Sequence, residues 1–180
     1  WMSDTPPLCA APDPSPRAPQ VTVPDGATDC HFHIFDGPSP QIAQRSYTAP
    51  PAPLDAFQHL HATLRISRSV IVQPSVYGTD NRTTLAACDS TPQMRAIVVV
   101  DEDTPPSTLA AYRKRGAVGC RVNMLFGSNA RIDSLCSLAR RIADQGWHLQ
   151  ILGDALASDF FGTDGACVEH LNDPWFRNMF

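Results

Sequence analysis

The stretch that decides the fold is "MRAIVVVD", residues 94–101. From Ile97 to Val100 it has four consecutive β-branched residues, without the polar alternation of a strand that has one face in water. A continuous apolar run of this kind is typical of a strand covered on both faces, as in the parallel sheets of α/β proteins. The sequence therefore predicts a buried parallel strand at this point in the chain.

Strand-like and helix-like segments alternate on both sides of this run. Strands are predicted over 28–35, 69–74, 94–101, 117–123 and 147–152, and helices over 53–66, 81–90, 106–116 and 131–146. Such alternation predicts an α/β fold built by right-handed crossovers. Two architectures fit it. One is an open doubly wound sheet that is complete with five strands. The other is an incomplete (β/α) TIM-type barrel of five to six βα units, since a full barrel takes about 250 residues.

By composition the chain divides into three parts. Residues 1–26 are rich in Pro, Ser, Ala and Asp, which predicts a disordered or extended arm. Residues 27–152 contain the whole alternation and form the predicted barrel domain. Residues 153–180 are atypical, with a short helix candidate, "DALASDFF", and a weak strand candidate, "ACVEH".

Composition also excludes several classes of protein. The 180 residues have a formal charge of -4 and no run of Lys and Arg, which argues against a nucleic-acid partner. No apolar stretch approaches the roughly 18 residues of a membrane span. The first residues lack the basic start and apolar core of a signal peptide, so we expect a cytoplasmic protein. The six widely spaced cysteines are expected to be reduced thiols.

The first candidate site is the pair His31 and His33 in "DCHFHIFD", residues 29–36. On a strand, residues two apart share a face, so the two imidazoles should lie side by side, with Asp29 on the same face. Such a pair can chelate a divalent metal or bind an oxyanion. It lies at the carboxyl end of the first strand, where α/β folds place their active sites. The alternative is a pair of hydrogen-bonded core histidines.

The second candidate is the polar stretch that follows the predicted strand in "VIVQPSVYGTDN", residues 70–81. Its polar residues also fall at the carboxyl end of a strand. They are Ser75, Tyr77, Thr79, Asp80 and Asn81. The alternative is a turn followed by a helix capped by Asp80 or Thr79. Whether these residues belong to a functional site or only to the turn and cap stays open.

The third candidate is "GCRVN", residues 119–123, in which Arg121 interrupts an apolar strand and Asn123 shares its face. A buried arginine needs a partner. Its guanidinium fork would suit the carboxylate of a ligand. The alternative is an internal ion pair with an acid such as Asp101.

Three further histidines are weaker candidates. His148 shares a strand face with Gln150 in "GWHLQI", but the sequence does not decide whether this pair or the alternate residues face the barrel interior. His59 and His61 fall on the first predicted helix, away from the strand ends. We expect those two to be surface or packing residues.

Five segments in order resemble the amidohydrolase-2 (amidohydrolase-related) family of (β/α) barrels. They are "DCHFHIFD", "RSYTAP", "VIVQPSVYGTDN", "GAVGCRVN" and "GWHLQI", and they cover roughly residues 27–152. The resemblance is strongest to the lactonase branch, which opens 2-pyrone-4,6-dicarboxylate, muconolactone or sugar lactones. It implies a hydrolase that opens a carboxylate-bearing lactone with an activated water.

The resemblance also implies roles for single residues. His31 and His33 match the first-strand pair, which binds a metal or polarises the substrate carbonyl. The candidates for substrate binding are Tyr47, Ser75, Tyr77, Thr79, Arg121 and Asn123. Many members of the family use one zinc or manganese ion to lower the pKa of the water. The resemblance to the pyrone-dicarboxylate lactonases instead implies a reaction without a metal. A site with one zinc or manganese ion and a site without a metal therefore both stay open.

The end of the sequence departs from the family pattern. The family supplies a further histidine from its sixth strand, for which His170 in "CVEHLND" is the catalytic candidate, and an aspartate general base from its eighth strand, which has no counterpart here. We therefore expect a C-terminally truncated or altered chain, or a homo-oligomer in which another subunit completes the site. The alternative is a catalytically inactive barrel fragment that at most binds a small carboxylate.

Overall fold

The computed structural model describes residues 6–124 and 132–152, which form five strands and four helices in alternation. The strands are β1 (Thr28–Phe32), β2 (Arg68–Val72), β3 (Met94–Val98), β4 (Ala117–Asn123) and β5 (His148–Leu152). The helices are α1 (Leu54–Leu64), α2 (Arg82–Ser90), α3 (Pro106–Lys114) and α4 (Ile132–Ala143). A 3-10 turn over Ser75–Tyr77 follows β2, within the stretch for which the sequence predicts a turn as one interpretation.

The five strands form one sheet in the order β1-β2-β3-β4-β5, and every neighbouring pair is parallel. Each strand therefore pairs with the next strand along the chain. A doubly wound sheet instead reverses its strand order at a switch point, so that alternative is wrong. The α/β prediction of a partial TIM-type barrel is confirmed: the sheet is a curled half-barrel with a helix in each connection.

The core lies between the sheet and the helices, and β3 lies at the centre of the sheet. Ala96, Ile97 and Val98 are successive residues of β3, and each is 0% exposed. Burial of both odd and even positions means that both faces of the strand are covered. On the helix side, Ala96 and Val98 belong to one apolar cluster with Leu85 of α2 and Leu109 of α3. The interpretation of the Val-rich run as a buried parallel strand is therefore confirmed.

Two buried polar side chains hold the connection that follows β2. The Gln73 amide nitrogen donates to the carbonyls of Gly78, at 3.1 Å, and Asp80, at 3.0 Å. The Asn81 side chain donates to the Val99 carbonyl at 2.7 Å and accepts from the Val99 N–H at 2.9 Å. These bonds tie the carboxyl ends of β2 and β3 together. Asn81 therefore has a structural role in the polar stretch that the sequence left open.

The N-cap of α2 is Asn81, whose side chain makes no cap hydrogen bond, so neither Asp80 nor Thr79 is the N-cap residue. The Asp80 carboxylate accepts from the backbone N–H of Arg82, the first residue of α2, at 3.2 Å. It also pairs with the Arg82 side chain at 2.6 Å, and this pairing holds the pKa of Asp80 at about 2. The contacts with Arg82 account for Asp80, as burial and hydrogen bonding account for Asn81.

Residues of the N-terminal arm lie against the long connection between β1 and α1. Leu8 forms a parallel bridge with Thr48. The Cys9 N–H donates to the Thr48 carbonyl at 2.9 Å, and the Thr48 N–H donates to the Pro7 carbonyl at 2.7 Å. The arm is therefore attached to the chain next to Tyr47.

Several sequence predictions fall outside the described residues: the helix candidate at 154–161, the strand candidate at 166–170, and His170 itself. Within residues 6–124 and 132–152, no helix has the length and apolar character needed to cross a membrane. The cysteines of this part of the chain are free thiols, namely Cys9, Cys30, Cys88, Cys120 and Cys136.

Candidate functional site

A bulge in β1 sets the geometry of the histidine pair. Asp29 pairs with Ser69, but the next pair is Phe32 with Ile71, so β1 advances three residues while β2 advances two. An extra residue of this kind interrupts the alternation of side chains between the two faces of a strand. The Asp29 carboxylate accepts from His61 Nε2 of α1 at 3.1 Å. The prediction that Asp29 shares a face with His31 and His33 is therefore wrong.

His61 belongs to the packing between α1 and β1, as expected. It is 7% exposed, and its ring centroid lies 3.9 Å from that of Phe57. The Asp29 carboxylate, which His61 contacts through one oxygen, accepts from the His31 backbone N–H through the other at 3.1 Å. His61 and Asp29 thus connect α1 to the bulge from which His31 projects.

His31 and His33 lie together, with ring centroids 5.1 Å apart. His33 Nδ1 lies 2.8 Å from the Val72 carbonyl. A carbonyl oxygen can only accept, so Nδ1 carries the hydrogen and the neutral ring has its lone pair on Nε2. Burial lowers the pKa of both histidines, and Arg121 lowers both further. The pair is therefore neutral at neutral pH.

Arg121 lies on the inner face of β4, beside these histidines. Its partner in register on β5 is Gln150, and its guanidinium is half-buried, so that burial lowers its pKa. Within residues 6–124 and 132–152, none of the ion pairs involves Arg121. The alternative pairing with Asp101 is not formed, because Asp101 is exposed on the loop after β3. The cation is thus held at the strand ends without a carboxylate from the described residues.

Tyr47 and Ser75 adjoin the same group. A side-chain hydrogen bond joins them, but burial has the larger effect on Tyr47 and raises its pKa, so the phenol keeps its proton. Arg121 acts electrostatically on Tyr47 as well, which places the two near each other. Tyr47, Ser75 and Arg121 are therefore brought together with the histidine pair.

Sequence reasoning missed Phe35, which links the histidines to the tyrosines. Its ring centroid lies 5.7 Å from that of His33 and 6.3 Å from those of Tyr47 and Tyr77. Its position two residues after His33 could have indicated it, because residues two apart on a strand share a face. Phe35 gives the site an apolar wall.

The remaining candidates are placed differently. Tyr77 is 3% exposed, and its pKa is raised by burial and by the nearby Asp36 and Tyr47. Thr79 is exposed, and its backbone carbonyl accepts from the Asn81 side chain at 3.0 Å. Asn123 is half-buried at the end of β4. Tyr77 therefore adjoins the central group, whereas the contact made by Thr79 belongs to the turn before α2.

The structure also decides the orientation of β5. His148 pairs with Gly119, and Leu149 packs against the apolar cluster under the helices. His148 and Gln150 therefore point to the inner face, the same face as Arg121. Burial lowers the pKa of His148, although a hydrogen bond with the Val118 carbonyl opposes that effect.

A metal ion is the cofactor that this histidine pair could hold. The His33 tautomer suits a ligand, because a metal-bound imidazole usually donates its other N–H to a carbonyl or carboxylate. However, catalytic zinc sites take about three protein ligands. In the part of the chain that the structure describes, no three His, Cys, Asp or Glu side chains form such a group, and Arg121 adds a positive charge. These residues alone do not fit a metal ion.

Comparison with known proteins gives relatives with lactone chemistry. A 2-pyrone-4,6-dicarboxylate hydrolase of Comamonas testosteroni is 31% identical over 172 residues, which are 89% of this chain and 56% of that protein. A 4-sulfomuconolactone hydrolase of Hydrogenophaga intermedia is 35% identical over 119 residues, which are 64% of this chain and 39% of that protein. The chain thus spans about half the length of the curated relatives it matches.

A solved structure supports the fold. The crystal structure of a probable 2-pyrone-4,6-dicarboxylic acid hydrolase from Acinetobacter baumannii, with citric acid bound, superposes with a TM-score of 0.65 at 24% identity. The match covers 70% of this chain and 49% of that one. The family model described as Amidohydrolase matches residues 28–180. The chain therefore belongs to the amidohydrolase-2 family, as the five sequence segments predicted.

Proposed function

We propose that this protein hydrolyses a carboxylate-bearing lactone, and that the described residues hold the carboxylate of the substrate. The observation that carries the proposal is Arg121. Its half-buried guanidinium lies beside two neutral histidines and makes no ion pair with a described residue. A desolvated cation without a partner costs free energy, which an anionic ligand would offset.

The proposed recognition step uses the shape of the guanidinium. A planar fork of N–H donors matches the two oxygens of a carboxylate and fixes its orientation as well as its position. Tyr47 and Ser75, joined by their hydrogen bond, would contact the same carboxylate or the lactone carbonyl. Tyr77, Thr79 and Asn123 complete the proposed set of substrate-binding residues.

The proposed chemical step is attack of water on the lactone carbonyl, followed by cleavage of the ring C–O bond, whose oxygen leaves with the proton that His33 took from the water. Neutral His33 presents the lone pair of Nε2, because Nδ1 donates to Val72, and a neutral imidazole can accept a proton from water. The protonated phenol of Tyr47 is a donor for the oxyanion that forms on the carbonyl oxygen. His31 would polarise the same carbonyl, and His170 is proposed as a further catalytic group.

The two relatives suggest which lactones to test. Their names specify 2-pyrone-4,6-dicarboxylate and 4-sulfomuconolactone, and both are anionic lactones. We propose 2-pyrone-4,6-dicarboxylate as the first substrate, with muconolactone and sugar lactones as alternatives. We also propose a cytoplasmic location, supported by the free thiols of the described cysteines, since disulfides are rare in reducing compartments.

The proposal is tested by following ring opening of 2-pyrone-4,6-dicarboxylate through the loss of absorbance of the conjugated ring. Assays with and without added zinc or manganese test whether a metal takes part. We expect turnover by the wild type and a large loss in Tyr47→Phe. Arg82→Gln is the control, because it removes an exposed arginine at the start of α2. A folded protein that turns over none of the three lactone classes would refute the hydrolase proposal.

A second candidate function is binding of a small carboxylate without turnover. It is favoured by the contacts of the Asp29 carboxylate, which accepts from His61 Nε2 and from the His31 backbone N–H. Calorimetry separates the two functions, because a binding protein would give heat on titration with the dicarboxylate while the absorbance stays constant.

A further inference from the structure

A charged cavity lies at the end of the half-barrel opposite the candidate active site. Its volume is about 360 Å³, and its walls include Met94 at the start of β3 and Gly116 just before β4. These are the amino ends of parallel strands, whereas Arg121 and the histidine pair lie towards the carboxyl ends. The cavity is therefore separate from the candidate active site.

Four cations line this cavity: Arg95, Arg113, Lys114 and Arg115. They are a large share of the 14 Lys and Arg residues in a chain whose formal charge is -4. One carboxylate, Asp89, pairs with Arg115 at 2.7 Å, so the group keeps a net positive charge. Burial raises the pKa of the Cys88 thiol to about 12. This thiol, which also lines the cavity, therefore adds no negative charge at neutral pH.

A structural explanation accounts for part of this charge. Arg113 and Lys114 lie in the last turn of α3, where cations are favourable because the carbonyl end of a helix is negative. Arg95 is different, because it belongs to β3. Its Nη1 donates to the carbonyls of Pro92, at 3.0 Å, and Met94, at 2.8 Å, which fixes the guanidinium at the cavity. Charge thus converges on the cavity from two separate elements.

We propose that this cavity binds a small organic polyanion, such as a compound with two or more carboxylates or with a phosphate group. The volume falls within the range of about 300–1,000 Å³ that is typical of small-molecule sites. Cations from two elements can contact separate anionic groups of one ligand, which favours a polyanion over a monoanion. The bound ligand would tie the end of α3 to the start of β3.

Lys114 provides a direct probe of the cavity, because it is the single lysine in the sequence. The experiment measures the rate at which a lysine-selective acylating reagent modifies Lys114, by mass spectrometry at constant ionic strength. The probes are inorganic pyrophosphate and tricarballylate, with acetate as the monoanion control. We expect one or both polyanions to slow the modification severalfold and acetate to leave it unchanged. Pyrophosphate alone would indicate a phosphate ligand, and tricarballylate alone would indicate a polycarboxylate.

Calorimetry of folded variants locates the binding. We expect Arg95→Gln and Arg113→Gln each to weaken polyanion binding about tenfold, which corresponds to about 1.4 kcal/mol. Arg17→Gln, in the exposed N-terminal arm, should leave it unchanged. Arg121→Gln, at the candidate active site, should leave the protection of Lys114 by polyanions unchanged. Equal protection of Lys114 by acetate would overturn the proposal. So would protection of Lys114 that is lost in Arg121→Gln and retained in Arg95→Gln.

Discussion

Replacing Arg121 with glutamine tests the proposed carboxylate site most directly. The side chain is half-buried, burial lowers its pKa, and no carboxylate of residues 6–124 or 132–152 forms an ion pair with it. Glutamine keeps hydrogen-bonding capacity but removes the charge. We therefore expect a loss of ligand binding without a loss of folding stability, a combination that a structural arginine would not give.

The magnitude follows from the two hydrogen bonds that a guanidinium fork makes to one carboxylate. A hydrogen bond to a charged group contributes about 1.5–3 kcal/mol. Because water reaches the exposed half of the guanidinium, we take the lower value for each bond, roughly 3 kcal/mol in total. Since a tenfold change corresponds to about 1.4 kcal/mol, the Kd for the dicarboxylate should rise about 100-fold. The free energy of unfolding should stay unchanged or rise, because a desolvated charge is removed.

Three measurements check this expectation: calorimetry for the Kd, urea unfolding for stability, and NMR titration for the histidines. Arg121 lowers the pKa of both His31 and His33, so both values should rise in the variant. Arg121→Lys, which keeps the charge but not the fork, should lose part of the affinity. Arg82→Gln should not change the Kd. A folded Arg121→Gln protein whose Kd lies within about threefold of the wild type would refute the reasoning.

Three further predictions concern stability. The folded-state pKa of His33 lies below its ordinary value of 6.5, so the unfolded chain binds the proton more readily. The free energy of unfolding should therefore fall as the pH drops from about 6.5 towards the folded-state pKa, and it should fall less in His33→Gln. If urea unfolding at several pH values gave the same dependence of this free energy on pH in both proteins, the expectation would be contradicted. Asn81→Ala should cost about 2–3 kcal/mol in urea unfolding because two Val99 backbone groups lose their partner. Asn81→Asp should cost at least as much, because its buried carboxylate would face the Val99 carbonyl oxygen. Gly119→Ala should cost about 1–3 kcal/mol, because the added Cβ would lie 2.8 Å from the His148 carbonyl oxygen, and an unchanged midpoint would contradict the close approach.

The fold could be predicted because its main signals are local. Runs of β-branched residues indicate strands covered on both faces, and the Val-rich run of β3 is buried at successive positions. Helix periodicity and Gly116 as a stop predicted that α3 ends at residue 116, and the observed end at Lys114 lies two residues earlier. Strand order could not be predicted locally, because doubly wound and barrel sheets share the same alternation and differ only in which strands pair.

The candidate site was predicted less completely because side-chain direction depends on pairing between strands. The spacing of His31 and His33 predicted two adjacent imidazoles, and their ring centroids do lie 5.1 Å apart. The same alternation rule failed for Asp29, because it assumes a regular ladder and β1 has a bulge. Nothing in "DCHFHIFD" encodes that bulge, which depends on the register with β2 and on the contact with His61 of α1.

The electrostatics of the inner face suggest how binding and chemistry are coupled in the proposed enzyme. Arg121 lowers the pKa of His33, which keeps the ring neutral but also weakens it as a base. A carboxylate bound to Arg121 would neutralise that cation and raise the pKa of His33, so the ring would become a stronger base when substrate is present. We therefore expect the pKa of His33, measured by NMR, to rise when the tricarboxylate product of ring opening is added. An unchanged pKa with ligand bound would mean that the carboxylate does not bind at Arg121.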